Sequence, residues 1–241
     1  MTFLPLKNVS ATIGFSKLSK CGRLFAASYT QIVAGNVLMS FSVSPANGAL
    51  NGILKTLWNK RSSYYQTVKV ICSDNYNSDH YYNKASNVLN WDTSEDQRYW
   101  SELTSIEHWV GYEFLKGYVS LTHYSIRTTT DNSGNYTAPK EWNVYGSLDN
   151  QHWIHLDYRN TDETKNPPET FTYPTKKAGL IKYIKFVQID DFYTYIYKDS
   201  LALNKFELFG KFSLKLNFES LKKASISSLF AKFINSLLIS T

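Results

Sequence analysis

His152 and His155 stand three residues apart, a spacing that points their side chains to opposite faces of a strand. They do not make a metal pair. Asp92, Glu95 and Asp96 form a compact acidic cluster. Hard cations need several carboxylate and carbonyl oxygens. Ca²⁺ is therefore the one cofactor this cluster leaves open, and a solvated turn is its ordinary reading. The chain has no Gly-rich phosphate loop, no Gly-x-Ser-x-Gly elbow and no His-Glu-x-x-His. We expect no catalytic residue, no metal and no enzyme. What remains is a concentration of Tyr, Asn and Asp in four stretches, 74–83, 92–100, 128–136 and 190–198. Flat phenol faces suit the C–H surfaces of a sugar, and planar polar groups suit its hydroxyls. The same residues in loops also make protein-binding surfaces.

These stretches fall between short segments of strand character. Val68, Val70 and Cys72 alternate with Lys69 and Ile71. Residues 109–115 and 119–127 are rich in β-branched and aromatic residues. Residues 141–147 place Trp142, Val144 and Gly146 on one face, and 148–151 reads as a hairpin turn leading to 153–156. A polar loop with Pro167-Pro168 precedes strands at 181–189 and 203–209. About eight short strands with polar turns and little helical period predict an all-β fold, a two-sheet antiparallel jelly-roll β-sandwich. All six tryptophans lie between Trp58 and Trp153, which locates the core, and Trp109, Trp142 and Trp153 are expected to be buried in it.

The flanks have a different texture. Residues 1–50 carry Lys7, Lys17, Lys20 and Arg23 with no acid, and 211–241 carry five lysines against Glu219. Each flank thus holds +4 of a total of +6, and the centre is mildly acidic. The charge does not describe a nucleic-acid groove. Residues 1–51 are expected to be weakly structured, and the Ser-Pro-Ala-Asn-Gly run at 44–48 reads as a boundary. The uncharged run Leu24–Val43 is long enough to cross a bilayer but is diluted by Ser28, Thr30, Gln31, Asn36, Ser40 and Ser42. Residues 213–241 form an amphipathic helical tail in this reading, with Phe218, Leu221, Leu229, Phe230, Phe233, Ile234, Leu237 and Leu238 on one stripe. That helix would dock or self-associate, and membrane contact is the rival use. Two cysteines, Cys21 and Cys72, make no disulfide framework and favour a reducing, cytoplasmic compartment.

The ordered series Trp109-Val-Gly-Tyr-Glu-Phe114, Leu121-Thr-His-Tyr-Ser-Ile-Arg127, Trp142-Asn-Val-Tyr-Gly-Ser147, Asp149, Trp153, Tyr183-Ile-Lys-Phe-Val-Gln-Ile189 and Leu203-Asn-Lys-Phe-Glu-Leu-Phe-Gly210 resembles the discoidin, or coagulation factor 5/8 C-type, domain. The likeness covers residues 52–212. It implies a galactose-binding-like sandwich of the cysteine-poor type found in unicellular eukaryotes. Many secreted members tie their two ends with a disulfide, and no cysteine stands near Gly210 here.

The resemblance also implies a ligand held by loops at one end of the sandwich. The residues assigned to it are His80, Tyr99, Arg127, Asp131, Asn132, Tyr193 and Tyr195. Arg127 would bring a forked set of donors, Asp131 and Asn132 would meet hydroxyls, and Tyr193 and Tyr195 would offer stacking faces. The leading expectation is a carbohydrate-binding module. A protein-interaction domain is the rival. A phospholipid-binding domain ranks third, because the apolar loop 190–197 opens with Asp190 and Asp191, which an anionic bilayer disfavours.

Overall fold

The computed structural model describes residues 29–33, 36–60, 67–74, 84–91, 98–101, 107–130, 138–192 and 200–217. Two five-stranded antiparallel sheets face each other. One contains β1 (Tyr29–Val33), β2 (Asn36–Val43), β6 (Gly117–Arg127), β9 (Thr170–Ile181) and β12 (Lys205–Asn217) in the order β1-β2-β12-β6-β9. The other contains β3 (Val68–Cys72), β5 (Trp109–Phe114), β7 (Pro139–Ser147), β8 (Trp153–Asn160) and β10 (Tyr183–Asp191) in the order β3-β5-β10-β7-β8. Two-residue strands β4 (Tyr99–Trp100) and β11 (Ala202–Leu203) pair with each other. The fold is the two-sheet antiparallel β-sandwich that the strand pattern predicts.

Alternation along each strand decides what enters the core. Val110, Tyr112 and Phe114 of β5 are fully buried, as are Ile184 and Phe186 of β10 and Trp142 and Val144 of β7. From the opposite sheet come Tyr124, Ile126, Phe206 and Leu208. Trp142 stacks on Phe186, with ring centroids 5.5 Å apart, and meets Tyr173 edge-on at 5.5 Å. Full burial of side chains this size contributes about 1.5–3 kcal/mol each.

The open edges are closed by different means. β2 pairs with β12 only from Gly210 onward. Before that point β12 is covered by α1 (Ile53–Asn59) and by the short 3₁₀ turn Ala85–Leu89. Ile53, Leu54, Leu57 and Trp58 bury one face of α1. Gly52 gives this helix no capping side chain. Glu207 of β12 supplies the acceptors instead: Leu54 N–H donates to Oε1 at 2.8 Å and Lys55 N–H to Oε2 at 3.0 Å. A Cβ on residue 52 would lie 2.3 Å from the Leu208 carbonyl oxygen and 2.5 Å from Glu207 Cδ, so the close approach requires glycine. Gly210 sits at φ +132° where the β6–β12 register shifts, another position that a side chain would strain.

Several sequence expectations change. Asn36–Val43, assigned to the weakly structured flank and to the possible membrane run, is a strand of the first sheet. No helix among the described residues is long and apolar enough to cross a membrane. Residues 213–217, assigned to the helical tail, continue β12, because Ser213–Asn217 pair with Asn36–Ser40. Phe218 onward, which carries the amphipathic pattern, lies outside the described residues. Thr170–Ile181 is a full strand although Pro174 and its charges read as loop. It is the last strand of its sheet, where a missing N–H is tolerated. Trp109 and Trp153 are only half-buried. Trp153 pairs with Ser147 and Trp109 with Val187, and both face outward, away from Trp142.

Candidate functional site at the loop end

The four Tyr-, Asn- and Asp-rich stretches leave the sandwich from one end. Arg127 closes β6 and pairs with Lys205 at the start of β12, while Asp191 closes β10 and pairs with Pro139 at the start of β7. Trp109 and Cys72 bring the ends of β5 and β3 to the same side, since Trp109 pairs with Val187 and Cys72 with Val110. The loop stems are then tied to each other. Tyr99 Oη donates to the Asp74 carbonyl at 2.9 Å and lies 3.2 Å from the Trp109 carbonyl. Arg98 Nη1 donates to the Thr130 carbonyl at 2.6 Å. Phe192 N–H donates to the Ala138 carbonyl at 3.2 Å, and Ser101 N–H donates to the Leu201 carbonyl at 2.9 Å. Gln188 Nε2 donates to the Ser200 carbonyl at 3.1 Å, and Trp100 Nε1 donates to Ser200 Oγ at 3.1 Å. Each stem is therefore held by at least one neighbour. A braced base of this kind is suited to holding binding residues in place.

Of the seven assigned site residues, His80, Asp131, Asn132, Tyr193 and Tyr195 lie outside the described residues, as do Asp92, Glu95 and Asp96 of the candidate Ca²⁺ cluster. Tyr99 is described and corrects its assignment. It is 0% exposed, and burial pushes its phenol far above the ordinary tyrosine range. It serves as a strut between Asp74 and Trp109 and offers no open face. Arg127 is half-buried at the tip of β6, and its carbonyl accepts from Asn204 N–H at 2.9 Å.

The same end holds charged and aromatic residues that sequence reasoning did not single out. Arg98 is 5% exposed and its guanidinium stands 5.2 Å from the Trp100 ring centroid. Trp91 is half-buried, with Lys55 Nζ 5.4 Å and Lys205 Nζ 6.0 Å from its ring centroid. Lys205 is itself 5% exposed and donates to the Asn87 carbonyl at 3.1 Å and the Asn204 carbonyl at 2.9 Å. Burial, with Arg127 and Lys55 acting in the same direction, brings its pKa down to about 7. Glu207, fully buried, is pushed up to about 7 by the loss of solvent. Lysines at positions 55 and 205 are 150 residues apart in the chain, so no local pattern could have joined them.

A second surface lies on the outer face of the sheet containing β10. Lys185 Nζ stands 5.7 Å from the Trp109 ring centroid, 5.4 Å from that of Tyr145 and 4.8 Å from that of Trp153. His155 packs on Tyr145 at 5.3 Å, and its Nε2 lies 2.8 Å from Asn143 Oδ1. Alternation in Tyr183-Ile-Lys-Phe-Val could have placed Lys185 outward, since Ile184 and Phe186 face the core. The hallmark reading of the tryptophans as core residues hid it.

No family model matches this sequence, and no curated protein matches it. Solved structures do match. One is CBM32-3, from a family 31 glycoside hydrolase of Clostridium perfringens, at TM-score 0.48 and 16% identity over 60% of this chain and 92% of that one. A second is the protein called CpGH89CBM32-5, from the same organism, in complex with GalNAc-β-1,3-galactose, at TM-score 0.47 and 10% identity over 59% of this chain and 94% of that one. A third is the family 32 CBM of C. perfringens NanJ in complex with galactose, at TM-score 0.46 and 10% identity over 59% and 93%. Each is a likeness in outline, and the sugars named belong to those proteins.

Proposed function

We propose that this chain is a discoidin-like, galactose-binding-like module without catalytic activity, and that it holds a carbohydrate with the loops at one end of its sandwich. The observation that carries this reading is the tied ring of stems: four separate stretches rich in Tyr, Asn and Asp spring from one end and are braced against each other there. Arg127 stands at the tip of β6 in this ring, where a planar guanidinium can offer paired donors to sugar hydroxyls. The ordered sequence series shared with discoidin domains supports the same end. Galactose and GalNAc-β-1,3-galactose, the ligands of two of the similar structures, are the first sugars to try. A glycan array run beside a liposome pull-down tests the reading. Glycan binding that is lost in Arg127→Ala, with no lipid binding, supports it. Capture by anionic liposomes without glycan binding contradicts it.

A second reading has its own observation. An antiparallel sheet exposed on one side usually presents a polar outer face. Here Trp109, Tyr145, Trp153 and Lys185 make that face aromatic. Tyr and Trp dominate the energetic centres of protein interfaces, so a protein partner would bind on this face and not at the loops. Trp153→Ala separates the two readings, because it removes a ring from the sheet face and leaves the loop stems intact.

A further inference from the structure

We propose that Lys205, Lys55, Arg127 and the indole of Trp91 form a subsite for an anionic group of the ligand, a carboxylate or sulfate carried on a sugar; this rests on the carbohydrate reading given above. Lys205 and Arg127 are directly opposed residues of neighbouring antiparallel strands. Like charges in that position repel and destabilise a sheet. Lys55, on α1, is a second cation at the Trp91 ring that Lys205 approaches. Among the described residues, no carboxylate stands within ion-pair distance of Lys205 or Lys55. Glu207, two residues along β12, has its oxygens bonded to the amides of Leu54, Lys55 and Leu208. Among the described residues, Lys205 Nζ donates to two carbonyl oxygens.

The ring that both lysines approach repeats the pattern. An indole N–H is a donor only. Trp91 Nε1 is buried and donates to nothing. Lys205, Lys55 and the Trp91 indole therefore gather donors and positive charge around one ring, and among the described residues no carboxylate completes them. Burying an ammonium without an opposite charge is unfavourable, and removing water strengthens its pull on any anion that arrives. A carboxylate or sulfate reaching this ring would bring the acceptor and the opposite charge. A neutral sugar hydroxyl would accept a hydrogen bond but leave the positive charge uncompensated. Such an anion would also raise the Lys205 pKa back toward the ordinary lysine range, so binding should take up protons above pH 7.

The test compares galactose, galacturonate and inorganic sulfate on the full chain, by calorimetry and by thermal unfolding at constant ionic strength with chloride as the control anion. We expect galacturonate to bind at least about tenfold more tightly than galactose. That preference should fall below about threefold in Lys205→Met and in Lys55→Gln. Lys55→Gln, on a half-buried side chain, keeps the test open should Lys205→Met fold poorly. Sulfate should raise the melting temperature of the wild-type chain above its effect on either variant. Equal affinity for the two sugars, or an acid preference retained in both variants, overturns the subsite. If neither sugar binds but the sulfate response is present and variant-sensitive, the subsite stands and the carbohydrate reading fails. If galactose alone binds and sulfate acts equally on all three proteins, the carbohydrate reading stands and the subsite fails.

Discussion

Asp157 and Lys205 are buried on opposite flanks of the sandwich, and only one of them meets an opposite charge. Asp157, on β8, is fully buried. Its Oδ2 accepts from Arg159 Nε at 2.7 Å and from Tyr124 Oη at 2.9 Å. Tyr124 Oη in turn accepts from Trp142 Nε1 at 2.9 Å. Arg159 goes on to the Pro174 carbonyl at 2.8 Å and stands 4.8 Å from the Tyr173 ring centroid. One carboxylate thus links β6, β7, β8 and β9 and closes that side of the sandwich. Lys205 has two carbonyls, a ring and two neighbouring cations. The first cluster has its charge paired within the chain and ties four strands together. Lys205 meets no carboxylate among the described residues, and it lies at the loop end, where we place the ligand.

The comparison breaks most easily on the completed side. Asp157→Ala leaves Arg159 without its carboxylate and Tyr124 without its acceptor. Removing one partner of a buried pair costs about 3–5 kcal/mol, and we expect a loss near the lower bound because Arg159 is 24% exposed. Trp142→Ala should cost a similar amount, about 3–5 kcal/mol for a buried large aromatic. Chemical denaturation measures both. A loss under about 1 kcal/mol in Asp157→Ala would show that the network is not structural.

The unpaired side predicts a pH dependence. Lys205 has a folded pKa of about 7 against 10.5 unfolded, so above pH 7 the unfolded chain binds the extra proton. Its contribution to stability is full above the unfolded value and is lost as pH falls through about 7. Glu207 has the opposite sign. Its folded pKa of about 7 lies above the unfolded 4.5, so its contribution is full below 4.5 and is lost as pH rises through about 7. Together the two groups place a stability minimum near neutrality, with limbs of up to about 1.4 kcal/mol per pH unit. Denaturant midpoints followed from pH 5 to 9 check this. Lys205→Met should flatten the alkaline limb and leave the acidic one.

At pH 7 the same variant sharpens the contrast. Replacing a buried charge by an apolar side chain of similar length is often neutral or stabilising. We expect no loss in Lys205→Met, and a gain of up to about 1 kcal/mol. A loss comparable to that in Asp157→Ala would make Lys205 a structural residue like its counterpart. A small loss should come from Trp153→Ala, which removes a half-buried ring and one cation–π contact with Lys185, worth about 0.5–1 kcal/mol. Thermal unfolding of Trp153→Ala beside Trp142→Ala reads the difference between the outer face and the core.

How much of this could be read from the sequence follows the range of the forces involved. Alternation is local, so β5, β6, β7 and β10 fall close to where the pattern puts them. Helix α1 is too short for a seven-residue segment to declare a period, and its cap comes from Glu207, far along the chain. β2 and the end of β12 carry ordinary Ser and Lys residues, and only their pairing with each other makes them strands. Tyr99 looked like a loop tyrosine because its neighbours are polar, while its hydroxyl is held by two carbonyls under the loops. The cation corner at Lys55, Trp91, Arg127 and Lys205 draws on four separated segments, which no spacing rule connects. The acidic stretch of the candidate Ca²⁺ site and five of the seven assigned ligand residues lie outside the described residues.

The central claim is that the loop end holds a carbohydrate. Glycan-array binding of the full chain and of Arg127→Ala, with unfolding curves of both proteins recorded alongside, tests it most directly. The account predicts a defined set of bound glycans for the wild type, and loss of that binding in the variant without loss of fold. Binding that is unchanged in Arg127→Ala and abolished by Trp153→Ala would move the site to the outer sheet face and contradict it.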